Sequence, residues 1–164
     1  MAKRIYLDSS VILAFLKGEP GRGDQVKAAL FNASGTERSF QFFTSVLSLT
    51  EITYIENLPG ALEDGFARID EFWRTAPILL VEVNMVAAVQ GRMMMRDRLR
   101  THKQSDVPSV RKRATDLVHL STAIWLNVDE FWTYDVVDFS KYPQQRVVVR
   151  EPYGEQMLMP GVQF

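Results

Sequence analysis

The chain contains no cysteine among its 164 residues. Disulfides and thiolate zinc sites are therefore excluded, and the sequence fits a cytoplasmic setting without requiring one. Histidine is almost as scarce. His102 and His119 are the two present, so a three-histidine metal centre cannot be built. Any metal must take oxygen ligands, which suits Mg2+ or Mn2+. No apolar run approaches the roughly 18 residues of a membrane span. The opening MAKRIYLDSS lacks the apolar stretch and cleavage site of a signal peptide. No membrane partner is expected. Neither a phosphate-cradling GxxxxGK[ST] nor a G-x-S-x-G nucleophile turn is present, which counts against P-loop NTPases and α/β-hydrolases.

What is there is ordinary in bulk and uneven in place. Hydrophobic residues make up 46% and charged residues 24%, as in a soluble globular protein. The length is most simply one domain, residues 1–152, followed by a loop-like tail, 153–164, whose Met157, Leu158 and Met159 could dock on the body. The formal net charge is −1. Yet residues 91–113 hold eight basic side chains against Asp97 and Asp106, a local charge of +6 that leaves −7 on the rest. This points to a basic surface on an acidic body. Arg96, Arg100, Arg111, Lys112 and Arg113 are its candidates for holding nucleic-acid phosphates, against the plainer reading of a solvated helix face. Met93–Met95, Phe42, Phe43 and Trp73 read as core or dimer surface rather than as base-stacking platforms.

Hydrophobic patterning predicts strands at Lys3–Asp8, Phe40–Ser45, Ile78–Val83, Phe131–Tyr134 and Arg146–Val149. Between them it predicts helices from Ser9 or Ser10 to Lys17, then Gln25–Phe31, Ser48–Asn57, Leu62–Arg74, a long helix capped by Asn84 and reaching Arg100, and Thr115–Asn127. Strands alternating with helices argue for an α/β fold with a mainly parallel sheet and helices on both faces. In such sheets ligands gather at the carboxyl ends of the strands.

That rule gives meaning to the acids. Asp8 ends the first strand and Asp135 follows FWTY. Glu51 lies in SLTEI, where Ser48 and Glu51 also fit a capping box. Asp116 opens the apolar helix ATDLVHLSTAIWLN, where a dipole contact is the plain alternative. His119 reads as a hydrogen-bonded packing residue. Asp138 is an additional acid, and Ser9 and Thr133 can support the others by hydrogen bonds, beyond their ordinary capping and strand roles. Each acid has a structural excuse; four of them at helix starts and strand ends are harder to excuse. Like charges at one edge repel unless a cation joins them. Mg2+ or Mn2+ held there can activate water and stabilise an in-line phosphoryl displacement.

The ordered motifs LDSSV, SLTEI, TDLVHLSTAI and TYDVVDF resemble the PIN-domain nucleases, and within them the VapC-type toxins of bacterial toxin–antitoxin pairs. The likeness spans residues 4–139. It implies a three-layer α/β/α fold and metal-dependent endoribonuclease activity. It matches Asp8, Glu51, Asp116 and Asp135 to the family's catalytic acids and Asp138 to a more variable one. By their chemistry Asp8 and Asp116 are expected as the principal metal ligands, with Asp135 completing the cluster directly or through water, and Glu51 either binds metal or orients the attacking water. The likeness also implies a homodimer and a cognate antitoxin. The basic stretch and the tail lie outside the motifs, so a stand-alone nuclease of RNA processing is an alternative. A catalytically silent RNA- or protein-binding module is another. A strand ending in Asp also occurs in haloacid-dehalogenase phosphatases, but these need a second Asp two residues on, where Ser10 stands.

Overall fold

β1 (Lys3–Leu7) is the centre of the sheet because it is apolar on both sides. Ile5 and Leu7 enter one core and Tyr6 the other, as the two-residue period of a strand requires. The computed structural model describes residues 2–31, 40–101, 114–142 and 147–153. Around β1 it places β2 (Phe40–Ser45), β3 (Ile78–Val81), β4 (Glu130–Trp132) and β5 (Val148–Arg150) in the order β3-β2-β1-β4-β5. Every pairing is parallel, with Ile5 opposite Phe42 on one side and opposite Glu130 on the other.

Helices cover both faces. α1 (Ser9–Lys17), α2 (Arg22–Phe31) and α4 (Leu62–Thr75) close the first core over Val11, Leu16, Leu30, Ile69 and Phe72. α5 (Met85–Arg100), α6 (Ala114–Trp125) and the short α7 (Val136–Phe139) close the second over Met95, Leu117, Leu120 and Phe139. Between β2 and α4 lies the one-turn α3 (Leu47–Glu51). This is the three-layer α/β/α arrangement expected from the patterning. Phe42, Phe43 and Met95 are core residues; Trp73 and Met94 pack at its margin, and Met93 is exposed.

Local chemistry explains most boundaries. Gly18 ends α1 at φ 66°, a left-handed conformation that costs glycine little, and its N–H reaches the carbonyls of Ala14 and Phe15. Asn84 caps α5 by accepting the Ala87 N–H at 2.8 Å. Gly91 lets α5 approach α6: a Cβ there would stand 3.1 Å from the Leu117 carbonyl oxygen and the Ser121 hydroxyl.

Two expectations need correction. α2 starts at Arg22 rather than Gln25, because the Asp24 carboxylate accepts the Gly21 N–H at 3.0 Å and closes the first turn earlier. The predicted helix Ser48–Asn57 stops at Glu51. The chain turns out of α3 at Ile52 and passes through Asn57 at φ 62°. Ser48 is inside that helix, not at its cap; its hydroxyl lies 2.7 Å from Thr44 Oγ1 on β2, and Glu51 is the last helical residue. The capping box therefore does not form. Trp125, at the end of α6, is 49% exposed. Tyr153 is buried, its ring 5.2 Å from that of Trp132. Met157, Leu158 and Met159 lie outside the described residues.

Candidate active site

All five strands run the same way, so the segments that follow β1, β2 and β4 emerge at one edge. Asp8 leaves β1 there, its N–H donating to the Trp132 carbonyl at 3.0 Å. Its carboxylate is buried, at 7% exposure. Oδ2 accepts from the Ser10 hydroxyl at 2.7 Å and from Thr133 Oγ1 at 3.0 Å. Thr133 Oγ1 in turn accepts the Asp135 N–H at 3.0 Å. One threonine hydroxyl thus ties the acid after β1 to the backbone of the acid after β4. Among the described residues no basic side chain pairs with Asp8. Hydroxyls are weak compensation for a buried charge.

Glu51 closes the other side. The Ser9 hydroxyl donates to its Oε2, and His119 Nε2 lies 2.8 Å from the same oxygen. Burial pushes the Glu51 carboxyl up, but the hydrogen bonds of His119, Ser9 and Thr115 outweigh it and hold the group below its ordinary value. Thr115 and His119 both belong to α6, so its first turn, which carries Asp116, lies at this edge. His119 is fully buried; its Nδ1 is 2.8 Å from the Tyr6 hydroxyl.

The expected acids therefore collect at the carboxyl edge as two linked groups, Asp8–Thr133–Asp135 and Ser9–Glu51–His119. They do not converge on one point. Among the described residues, no three His, Asp or Glu side chains are gathered closely enough to hold a metal ion. Ionised carboxylates repel, and here Asp8 turns to hydroxyls and Glu51 to an imidazole. The donor set still fits a hard cation in kind: oxygen ligands, and in Asp8 a buried charge with no basic partner among the described residues.

Asp138 pairs with Lys141 at 2.5 Å and with Arg98 of α5 at 3.9 Å. Arg98 also covers the Tyr142 ring at 5.0 Å. Of the basic candidates, Arg96 is exposed and Arg100 pairs with Asp97 at 3.1 Å. Arg111, Lys112 and Arg113 lie outside the described residues. Ser10 and Tyr6 were absent from the expected site. Ser10 carries a signal in its spacing, since a hydroxyl two residues after an Asp reaches that carboxylate. Tyr6 carries none, because its partner is 113 positions away.

A parallel three-layer sheet with acids at its carboxyl edge defines a class of α/β site, and comparison gives that class a family. Residues 5–144 match the family model of the PIN domain. The chain belongs to the PIN domain family. Among solved structures it is similar to VapBC2 from Rickettsia felis bound to a DNA fragment from its promoter, with 13% identity and a TM-score of 0.60, covering 90% of this chain and 98% of that one. DNA-bound VapBC from Salmonella typhimurium is similar at 17% identity and a TM-score of 0.60, covering 92% and 98%. Mycobacterium tuberculosis VapC20, a Sarcin-Ricin loop cleaving toxin, is similar at 15% identity and a TM-score of 0.54, covering 87% and 98%. At these identities the likeness is one of fold. A search of curated sequences returned no match. No helix among the described residues is long and apolar enough to cross a membrane.

Proposed function

We propose that this chain is a metal-dependent endoribonuclease that hydrolyses RNA phosphodiester bonds, and that it is the toxin of a type II toxin–antitoxin pair working in the cytoplasm. The observation that carries the proposal is Asp8: a buried carboxylate at the carboxyl end of the central strand, supported among the described residues by hydroxyls and by no basic side chain. Such a charge is stable once a cation sits beside it.

Asp8, Asp116 and Asp135 would hold Mg2+ or Mn2+. When bound, the ion supplies positive charge to the scissile phosphate and makes water a better nucleophile. The rest falls to the protein. Thr133 and Ser10 fix the Asp8 carboxylate in one orientation. Glu51, kept ionised by its hydrogen bonds, can accept a proton from the attacking water. No Ser–His nucleophile is required. Arg96, Arg100, Arg111, Lys112 and Arg113 would position the RNA backbone. The toxin assignment draws on the fold shared with VapBC complexes, and the same fold is compatible with a homodimer and an antitoxin partner.

The test is cleavage of RNA by the purified chain with Mg2+ or Mn2+, beside Asp8→Asn and excess chelator. Cleavage that disappears in both controls is the expected outcome. Equal cleavage by wild type and Asp8→Asn would refute the mechanism. RNA binding by the wild type without any cleavage would instead favour a silent binding module.

A further inference from the structure

Resting on the nuclease reading, we infer that His119 is a positioning residue: anchored by Tyr6, it donates a hydrogen bond from Nε2 to Glu51 and holds that carboxylate in its working orientation. A carboxylate only accepts, so the 2.8 Å contact from Nε2 to Glu51 Oε2 requires hydrogen on Nε2. The other ring nitrogen faces the Tyr6 hydroxyl at 2.8 Å, with Ser45 Oγ at 3.4 Å. Burial pushes the Tyr6 phenol far above its ordinary value, so it keeps its proton and can offer it to Nδ1.

The anchor is rigid for three reasons. Tyr6 lies on the central strand, wholly buried. Its ring stacks on Phe131 of β4 at 5.6 Å and meets the imidazole edge-on at 5.9 Å. The second hydrogen bond to Glu51 comes from Ser9, whose hydroxyl is in turn 3.2 Å from Ser48, itself bonded to Thr44 on β2. Glu51 closes a one-turn helix and is followed by irregular chain, so its own backbone orients it weakly. The sheet does so instead, through two buried hydroxyl and imidazole arms.

The test has a metal-free part and a kinetic part. The ring nitrogens of 15N-histidine-labelled protein are read by NMR without metal or RNA, with His102→Gln assigning the signals. Hydrogen on Nε2 is expected; a ring with hydrogen on Nδ1 alone overturns the inference. In RNA cleavage with Mn2+, His119→Leu should lower kcat roughly 10- to 100-fold with KM unchanged, the usual scale for a group that orients a site residue. His119→Gln, whose amide can still donate, should recover most of it. In a Glu51→Gln background His119→Leu should cost nothing more. If His119→Leu does not fold, Tyr6→Phe carries the same prediction with a smaller drop. A folded His119→Leu with unchanged kcat, a loss confined to KM, or full additivity with Glu51→Gln overturns the inference. These results differ from failure of the nuclease reading, in which wild type and Asp8→Asn behave alike; the inference then stands or falls on the tautomer.

Discussion

Two buried carboxylates on neighbouring strands meet opposite surroundings. Glu130 opens β4 and is 4% exposed; Asp8 follows β1 and is 7% exposed. Glu130 is paired with Lys3 at 3.0 Å and Arg150 at 3.5 Å, and it accepts from Trp132 Nε1 at 2.7 Å and the Tyr153 hydroxyl at 3.2 Å. Asp8 has two hydroxyls. The first arrangement satisfies its charge from within the chain and ties β1, β4 and β5 together. The second gives its charge no basic partner among the described residues. On the proposed function, equal burial with unequal compensation separates a structural acid from one used in chemistry.

That contrast can be broken most directly by exchanging charge for amide at each position. Asp8→Asn should reduce RNA cleavage by about a thousandfold or more, the scale of removing a preorganised electrostatic group, while Glu130→Gln leaves kcat unchanged. Comparable losses in both would dissolve the distinction. Added Mg2+ or Mn2+ gives the next largest effect. At a hundred times Kd it should stabilise the wild type by about 2.7 kcal/mol, read as a rise in Tm, and should not stabilise Asp8→Asn. Third, urea denaturation without metal should show Glu130→Gln costing about 2 kcal/mol, as hydrogen bonds to a charged group do. Asp8→Asn should be neutral or slightly stabilising, since it removes a buried charge with no basic partner among the described residues.

The smallest effect sharpens the comparison through pH. The Lys3 ammonium is held above its ordinary value by its hydrogen bonds to Glu130 and Tyr153. Its contribution is complete below about pH 10.4 and is lost as pH rises through the folded value. Glu51 is held below its ordinary value, burial notwithstanding. Its contribution is present above about pH 4.3 and is lost as pH falls through the folded value. Glu130→Gln should therefore flatten the alkaline limb of a stability–pH curve, and Glu51→Gln the acid limb. Limbs that respond to the opposite variants would contradict the pairing.

Much of this was legible in the chain order. The strand before Asp8, the Asn84 cap, the end of α1 at Lys17 and the alternation of strands with helices all depend on neighbours a few residues apart, and each was read correctly. Ser48 shows where such reading fails. Its spacing to Glu51 suits a capping box, but the Thr44 hydroxyl on β2 competes for the same oxygen and wins. Glu130 was overlooked because the apolar run FWTY starts after it. Its partners Lys3 and Tyr153 are 127 and 23 residues away.

By itself, then, the sequence determined the residue types and the order of elements: oxygen donors rather than thiolates, apolar strands that must be covered on both faces, and acids placed where strands end and helices begin. Periodicity and composition suffice for that, because they act locally. Only the tertiary structure decided which acid is neutralised and which is left to chemistry. That choice depends on the parallel packing of β1, β4 and β5, which brings Lys3 and Arg150 to Glu130 and, among the described residues, hydroxyls to Asp8. Electrostatic compensation is a property of distance in space, and distance along the chain carries almost no information about it.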